Sequence, residues 1–532
     1  MKELLFYNGD IITMEEGKEA EAVLVRDGVI VKAGKKEQVE QEASKETQRI
    51  DLDGKTLIPA FIDAHSHFSG YAVSLLEINL ENAKSYDDII NMVQKFIKEN
   101  HVPKGEWVQA TGYDHNNLIE QKHPSKELLD KASPENPLLI KHVSNHMGVL
   151  NSLGLEKLNI TDITKDPEGG KIFKENGEPT GYLEEKAFVN ATIAIPMVTM
   201  EKLSGALLKT QECYASYGIT TAQEGYVVKE LGDIIQLMMA TNMLKIDLVG
   251  YVDFMDAPVV FERFPNAIKQ YDHHFKIGGY KTFLDGSPQG RTAWMLAPYE
   301  NGEEGYVAYG TQTDEQILEK IETALKDDMQ LLVHCNGDAA SAQYIRQYAK
   351  AKEQVENDKE IRPVIIHAQL LAKDQLGEVK ELHMIPSFFV AHVYHWGDVH
   401  IKNFGLERAK EISPANSALK EDILFTFHQD SPIIQPNMLE TIWCACKRET
   451  KNGILLGEDE RISPYEALKA VTINAAYQYF EEEKKGSIKE NKVADLVILD
   501  KNPLKIDIDE IRNIKVVETF KEGTSIFKRN SK

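Results

Sequence analysis

Cysteine is scarce in this 532-residue chain, which has only Cys213, Cys335, Cys444 and Cys446. So few thiols argue against a disulfide scaffold and are typical of reduced cysteines in a cytoplasmic protein. The sequence also lacks the uncharged apolar run of about 18 residues that a membrane-spanning helix needs. Its first residues, MKELLFYNGDIITMEEG, contain only a short apolar patch broken by Asn-Gly-Asp, so we expect no signal peptide.

Basic residues are in the minority. The chain has 61 Lys and Arg against 84 Asp and Glu, which gives a formal net charge of −23. Nucleic acids and anionic membrane surfaces bind clustered Lys and Arg, so we expect neither as a partner. The hydrophobic content of 42% and the charged content of 27% are typical of globular proteins, and the length predicts more than one domain.

The two ends of the chain have similar patterns. KELLFYNGDIITM and EAVLVRDGVIVKAG near the start are short β-rich runs with Asn-Gly or Asp-Gly turns, which predict hairpins. KVADLVILD and IKVVETFKEGTSIF near the finish predict the same structure. We therefore expect one small β-sandwich domain built from residues 1–58 and 480–532.

The middle of the chain alternates short apolar runs with amphipathic helices. Residues 313–328 place apolar side chains on one helical face and are followed at once by MQLLVH; RPVIIHAQ and DILFTFHQD continue the pattern. Such an alternation indicates a parallel sheet that is buried on both faces. Its repetition favours an α/β fold, a (β/α)8 TIM barrel, over an open sheet, and no Gly-x-Gly-x-x-Gly or phosphate-loop motif supports nucleotide binding.

Residues 71–195 interrupt this alternation. They contain helical pieces, clustered Pro and Gly, and DPEGGKIFKENGEPTG, which predicts a hairpin. The stretch is too long for a loop between a strand and a helix. We expect an inserted subdomain near the barrel mouth, with the barrel itself in residues 59–70 and 196–479.

Polar side chains follow the predicted strands at their C-terminal ends, where parallel barrels carry their chemistry. In chain order they are His65, His67, Lys281, His334, His367 and Asp430. In an extended strand residues i and i+2 share a face, so the first two can converge on one ion, although a lone His-x-His pair is a weak signal. Neutral imidazoles and a carboxylate suit Zn²⁺, and also Fe, Mn, Ni or Co ions. Lys281 would have to lose its proton and form a carbamate with CO₂ before binding a metal; a salt bridge or contact with water is the alternative.

Nine segments spread over nearly the whole chain resemble one family. They are LIPAFIDAHSHF, GEWVQATGYD, SNHMGVLNSLGL, GEPTGYLEEKA, GITTAQEG, YKTFLDGSPQGRTA, LLVHCNGDAA, IIHAQL and FHQDSP. With the ordered ligand series and the split β-domain, they are similar to the metal-dependent amidohydrolase superfamily. In detail they resemble amidohydrolase family 3, which contains the N-substituted formamide deformylase-like proteins. Two segments depart from the family pattern: His428 and Gln429 stand where small residues are expected, and AHVYHWGD is rich in rings.

The resemblance implies a role for each strand-end residue. His65 and His67 would bind the more buried metal beside Asp430, the next two histidines of the series would bind a second ion, and a carboxylated Lys281 would bridge the two. A site with one ion and a subset of these ligands stays open. The cofactor would be a divalent metal, with zinc expected, and Asp430 would be the general base. The alternative for Asp430 is a helix N-cap.

Four further residues are candidates for substrate binding: His146, Asp285, Arg291 and Asp338. His146 lies in the predicted insertion, where a structural role is the alternative. The other three lie in motif loops, where hydrogen bonds that brace the loop are the alternative. Arg291 would suit an anionic substrate group, because a guanidinium binds a carboxylate in a bidentate manner.

The leading hypothesis is a metal-dependent hydrolase that acts on a small molecule at an amide, N-formyl or N-acyl bond other than a peptide bond. A barrel deaminase or cyclic-imide hydrolase is the enzymatic alternative, and a mononuclear deaminase would not need Lys281. A non-catalytic ligand-binding relative is the third alternative, although a binding module has no need of Asp430. The sequence identifies neither the substrate nor the subunit number, and a homo-oligomer stays open.

Overall fold

The structure is a computed structural model and describes residues 2–143, 146–196, 199–356 and 359–530. The strands are β1 (Glu3–Tyr7), β2 (Asp10–Ile11), β3 (Ala22–Arg26), β4 (Val29–Gly34), β5 (Gln48–Asp51), β6 (Thr56–Pro59), β7 (Phe61–Ile62), β8 (Ile78–Asn79), β9 (Val108–Tyr113), β10 (Leu138–His142), β11 (Met147–Leu150), β12 (Gly170–Glu175), β13 (Glu178–Glu185), β14 (Ile219–Val227), β15 (Asp247–Asp253), β16 (Phe275–Phe283), β17 (Gln330–Cys335), β18 (Val364–His367), β19 (Ile385–Phe388), β20 (Thr426–Phe427), β21 (Leu496–Leu499), β22 (Val516–Lys521) and β23 (Thr524–Lys528).

Helices lie between most of these strands. They are α1 (Lys36–Glu42), α2 (Phe68–Ser74), α3 (Tyr86–Glu99), α4 (Lys126–Ala132), α5 (Ser152–Lys157), α6 (Lys186–Ala194), α7 (Met200–Ser216), α8 (Gly232–Ala240), α9 (Ala257–Arg263), α10 (Asp314–Lys326), α11 (Asp338–Gln354), α12 (Leu376–Glu381), α13 (His392–Ala409), α14 (Ala415–Lys420), α15 (Met438–Lys447), α16 (Pro464–Ala470), α17 (Ile473–Gln478) and α18 (Ile508–Ile511). None of these helices is long and apolar enough to cross a membrane.

The chain forms two compact units, of which one joins the residues up to Phe68 to those from Gln211 onward. This unit contains an eight-stranded sheet in the order β20-β19-β18-β17-β16-β15-β14-β7, with every neighbouring pair parallel. Its strands are buried almost throughout their length, as in a sheet that is covered on both faces. The predicted α/β class with a parallel sheet is therefore confirmed.

The helix predicted over 313–328 is α10, and its start shows how local sequence fixes an element. The hydroxyl of Thr313 accepts from the backbone N–H of Gln316 at 3.3 Å, and the Gln316 side chain accepts from the N–H of Thr313 at 2.9 Å. This capping box satisfies two N–H groups that have no partner inside the helix. Ile317, Ile321 and Leu325 then form the buried stripe on the sheet side of the helix.

Both chain ends build two further sheets in the same unit. The four-stranded sheet has the order β4-β3-β1-β5, and the five-stranded sheet has the order β2-β6-β21-β22-β23. β6 from the start of the chain pairs with β21 from its finish in antiparallel register. One apolar cluster contains Leu4, Phe6 and Val25 together with Leu496 and Phe520, so the two ends of the chain share a core.

The second unit comprises residues 69–210. Its mixed six-stranded sheet has the order β12-β13-β11-β10-β9-β8, in which β8, β9 and β10 run parallel. The hairpin predicted around residues 166–181 is confirmed as β12 and β13. Ile89 and Val93 of α3 pack into the core of this sheet.

Glu3 at the start of β1 allows a test of the packing of the chain ends. Its side chain is buried and accepts hydrogen bonds from Thr47, from the Ser44 N–H at 2.7 Å and from Arg26 at 2.7 Å. Burial alone would raise the pKa of Glu3, but these hydrogen bonds lower it to about 2. The ionised form is therefore the form that stabilises the fold.

We predict that Glu3→Gln lowers the free energy of unfolding at pH 6 by about 1–3 kcal/mol, the range for hydrogen bonds to a charged group. Because the folded pKa lies below the unfolded value, the difference from wild type is present above about pH 4.5 and disappears as the pH falls towards 2. Urea titrations at several pH values measure it. Glu37→Gln, on the exposed side of α1, is the control, and equal effects of the two substitutions would contradict the assignment.

Candidate functional site

The six predicted ligands lie at the C-terminal edge of the parallel sheet. They are His65 and His67 in the loop after β7, Lys281 in β16, His334 in β17, His367 at the end of β18 and Asp430 after β20. As predicted, the first two histidines follow the apolar run; β7 ends at Ile62, so both lie in the loop after it. They converge through loop geometry instead of strand alternation.

His65, His67 and Asp430 form the tightest group. Oδ1 of Asp430 is 3.5 Å from Nε2 of His65 and 3.3 Å from Nε2 of His67. Two backbone hydrogen bonds join the loops that carry them: Asp430 N–H to the carbonyl of His65 at 3.2 Å, and His67 N–H to the carbonyl of Ser431 at 2.8 Å. The separations between Oδ1 of Asp430 and the two Nε2 atoms are those of ligand atoms that bind one metal ion with bonds of about 2.1 Å.

Lys281 lies beside this group and is fully buried. Its Nζ is 3.4 Å from Nε2 of His65, and it makes no salt bridge with any carboxylate in the described part of the chain. Burial lowers the pKa of Lys281 to about 7, although the negative charge of Asp430 opposes the shift. Near neutral pH, a large fraction of this amine is therefore unprotonated.

His334 and His367 are the other pair. Their ring centroids are 4.6 Å apart, and Nε2 of His367 is 4.0 Å from Oδ2 of Asp430. The ring of His367 is also 5.4 Å from that of His65. The carboxylate of Asp430 thus faces three imidazoles, two from the loop after β7 and one from the end of β18.

Hydrogen bonds at Nδ1 fix the orientation of two of these rings. Nδ1 of His65 is 2.5 Å from the amide oxygen of Gln223, whose nitrogen donates to the carbonyl of Ala64 and to the hydroxyl of Tyr479. Nδ1 of His334 is 3.2 Å from Oδ1 of Asp285. An acceptor at Nδ1 holds the proton there, which leaves the lone pair on Nε2 of His65 for a metal, whereas Nε2 of His334 lies 3.3 Å from the side-chain nitrogen of Asn336.

His367 is oriented by another histidine. Its Nδ1 lies 3.0 Å from Nε2 of His428, whose own Nδ1 lies 2.9 Å from the hydroxyl of Ser387. Burial lowers the pKa of His428 to about 3, so this ring is neutral. The chain of hydrogen bonds leaves Nε2 of His367 directed towards Asp430.

Backbone conformation at the site is unusual. His367 has a φ of 72° and Asp430 a φ of 52°, in the left-handed region that residues with a Cβ rarely adopt. Glycine is needed at position 225 for a different reason. A Cβ atom there would lie 2.7 Å from Cε1 of His65, which is too close. Strain and close approach of this kind persist where the surrounding structure enforces a particular arrangement of side chains.

The electrostatics of the site suit a divalent cation. Burial lowers the pKa values of His65 and His367 well below their usual range, so both rings are neutral. Burial would raise the pKa of Asp430, but its contact with His67 and the neighbouring charges lower it, so the carboxylate is ionised. Oδ1 of Asp430 is buried and has no well-formed hydrogen bond to any described residue. An orphaned carboxylate oxygen among neutral imidazoles fits a metal such as Zn²⁺.

The four candidates for substrate binding take different positions. Asp285 accepts from His334 and from the N–H groups of Asn336 and Gly337, so it positions a ligand and braces a loop. Arg291 donates to the carbonyl of Asn301, and Asp338 accepts from the N–H of Leu296 at 2.7 Å at the start of α11. His146 is exposed in the unit of residues 69–210, where it lies 3.1 Å from Glu185.

Three buried residues of the site were not predicted: Gln223, His428 as a partner of His367, and Asp63. The carboxylate of Asp63 is fully buried, accepts from the N–H of His65 at 3.3 Å, and has its pKa raised to about 7 by burial. Two features of the sequence could have indicated these residues. One is the polar pair Gln223-Glu224 inside the segment GITTAQEGY, and the other is the departure of His428 from the family pattern. Neither feature predicts which atom each side chain contacts.

Comparisons with known proteins cover almost the full chain. A model of the amidohydrolase family matches residues 48–527. YtcJ of Bacillus subtilis (strain 168) is 29% identical over 99% of both chains, and the N-substituted formamide deformylase of Arthrobacter pascens is 24% identical over 99% of both. The crystal structure of an uncharacterized metal-dependent hydrolase from Pyrococcus furiosus is 25% identical with a TM-score of 0.76, and the match covers 94% of this chain and 100% of that one.

Gln223 provides a test of the orientation of His65. We predict that Gln223→Leu weakens the binding of Zn²⁺ about 10–100-fold, because Nδ1 of His65 loses the partner that directs Nε2 to the metal. Competition with a chromophoric chelator measures the affinity.

Gln330→Leu is the matched control for this substitution. Gln330 is also a buried glutamine of the sheet, but it bonds to Tyr251 and to the carbonyls of Arg362 and Gln478. Its replacement therefore costs stability without touching a ligand. Equal zinc affinities of the two variants would show that Gln223 does not position His65.

Proposed function

We propose that this chain, which belongs to the amidohydrolase family as its motifs predicted, is a metal-dependent hydrolase of a non-peptide C–N bond in a small molecule. The bond is that of an amide, an N-formyl or an N-acyl group. The observation that carries the proposal is the buried Asp430 carboxylate facing the Nε2 atoms of His65 and His67, with Lys281 beside them. The deformylase among its relatives supports this bond type.

Zinc is the expected ion, in one or two copies. His65, His67 and Asp430 would hold the first, and His334 and His367 would hold the second. When bound, the metal lowers the pKa of water from 15.7 to about 7 and polarises the scissile carbonyl. A carbamate on Lys281, which the burial and lowered pKa of this amine support, would bridge the two positions.

Asp430 is the general base in this proposal. It is ionised, and it lies at the centre of the ligand group. Its carboxylate takes a proton from the attacking water as the water oxygen bonds to the carbonyl carbon. The same proton then passes to the nitrogen of the leaving amine as the C–N bond breaks, so acid and amine are the products.

The proposal extends to the architecture. We infer that the eight-stranded sheet closes into a TIM barrel, because the loops after β7 and β20 are joined by the hydrogen bond from Asp430 to His65. We also infer that the two sheets from the chain ends form a β-sandwich, since they share one apolar cluster. A cytoplasmic location is favoured by four free thiols.

A hydrolysis screen tests the activity. Purified protein is incubated with N-formyl and N-acyl amines and amino acids in the presence of Zn²⁺, Mn²⁺ or Co²⁺, and the released primary amine is measured. We expect turnover in wild type and in Asp422→Asn, whose side chain is exposed, and a loss of about 10²–10⁴-fold in kcat for Asp430→Asn. Equal rates for wild type and Asp430→Asn would exclude Asp430 as the base, and release of ammonia from aminated heterocycles alone would indicate a deaminase.

Lys281→Ala tests the bridging role. We expect the variant to bind about one metal ion less per chain than wild type and to lose most of its hydrolytic activity, because the carbamate ligand is gone. Bicarbonate should increase metal binding by wild type and leave Lys281→Ala unchanged, so each protein is its own control. Full activity and full metal content in Lys281→Ala would instead indicate a site that works with one ion and no carbamate.

A further inference from the structure

The unit of residues 69–210 contains a second group of metal-ligating side chains, formed by Asp114, His115 and His142. Asp114 and His115 directly follow β9, and His142 is the last residue of β10. β9 and β10 are parallel neighbours, with His142 opposite Tyr113. Because the carboxyl ends of parallel strands meet at one edge, these side chains converge although 27 residues separate the two histidines.

The three ligand atoms form a compact triangle. Nδ1 of His115 is 3.2 Å from Nε2 of His142, and Oδ1 of Asp114 is 3.6 Å from that Nε2 and 3.9 Å from that Nδ1. A point at the centre of this triangle is about 2.1 Å from each atom, and this is the length of zinc bonds to nitrogen and oxygen.

A hydrogen bond between the two rings accounts for only one side of the triangle. The carboxylate of Asp114 also attracts the ring of His142 across 3.6 Å, and it lies 3.9 Å from the ring of His115. Asp114 is held by its own loop, since Oδ1 accepts from the N–H of Asn116 at 2.9 Å. The carboxylate is therefore placed before any ligand binds.

The protonation states also suit a cation. Burial lowers the pKa of His142, although the negative charge of Asp114 opposes the shift. Burial would raise the pKa of Asp114, but hydrogen bonds from Asn116 lower it. Behind His115, the ring of His123 packs at 4.0 Å and limits the movement of the ligand ring. The group thus combines one carboxylate with two imidazole rings, which are residue types that zinc sites use.

We propose that Asp114, His115 and His142 bind one Zn²⁺ ion and leave one coordination position to water. His142 is 8% exposed, whereas Asp114 and His115 are 25% and 28% exposed, so the site is accessible to an ion from solution. Three protein ligands and a water are the coordination of an open zinc site. The ion would link the loop after β9 to the end of β10, independently of the ligands on the parallel sheet.

Metal content of the full-length protein tests this site. Wild type, Asp114→Asn, His115→Gln and His101→Gln are stripped with a chelator and dialysed against buffered free Zn²⁺, and zinc per chain is measured by mass spectrometry. Asp114→Asn preserves the cap on Asn116, and His101, an exposed histidine of the same unit, gives the matched control. We expect wild type and His101→Gln to hold one more zinc per chain than the other two variants.

Hydrogen exchange locates the ion. We expect zinc to slow amide exchange in residues 108–117 and 138–142 of wild type and His101→Gln, and to leave it unchanged in His115→Gln. Zinc bound at the parallel sheet contributes equally to the proteins compared, because all of them keep those ligands. Equal zinc content in the four proteins, or equal protection of these segments in wild type and His115→Gln, would overturn the proposal. The result does not depend on whether the protein hydrolyses a C–N bond.

Discussion

The buried carboxylate of Asp430 is the constraint on which the rest of the site depends. An ionised group removed from water is costly unless cations or donors compensate it. Here one oxygen lies between the Nε2 atoms of two histidines without a well-formed hydrogen bond among the described residues. The strained backbone at this residue and the bonds between the two ligand loops show that the fold holds the carboxylate in place.

A second layer of side chains orients the imidazole rings near Asp430, so that the lone pairs of their nitrogen atoms have fixed directions. A glutamine, an aspartate and a histidine each bind Nδ1 of one ligand ring. The three partners differ in chemistry. Those of His65 and His367 leave Nε2 facing Asp430, whereas Nε2 of His334 lies 3.3 Å from the side-chain nitrogen of Asn336. At each of these positions Nδ1 has a hydrogen-bond partner, and residues of three different types provide it.

The sequence predicted the parallel sheet, and it indicated which polar residues follow the strands, because both depend on local patterns. Apolar runs mark β17 and β18, and the apolar face of residues 313–328 marks α10. The partners of the ligands could not be predicted in this way. Gln223 is 158 residues from His65, and His428 is 61 residues from His367, so only the folded chain brings them together. Even the convergence of His65 and His67 depends on hydrogen bonds between their loop and the loop after β20, which is distant in the sequence.

The same principle connects the two candidate metal sites. In each, ligands stand at the carboxyl ends of parallel strands, where side chains from distant parts of the sequence converge without any local motif. The carboxylates of the two sites differ in burial: Asp430 is 15% exposed and has the fully buried Lys281 beside it, whereas Asp114 is 25% exposed. Burial strengthens electrostatic interactions and favours chemistry on a substrate, while exposure leaves water as the natural fourth ligand. The buried group is therefore the one whose geometry supports catalysis, and the exposed group is the one whose geometry supports binding of the ion itself.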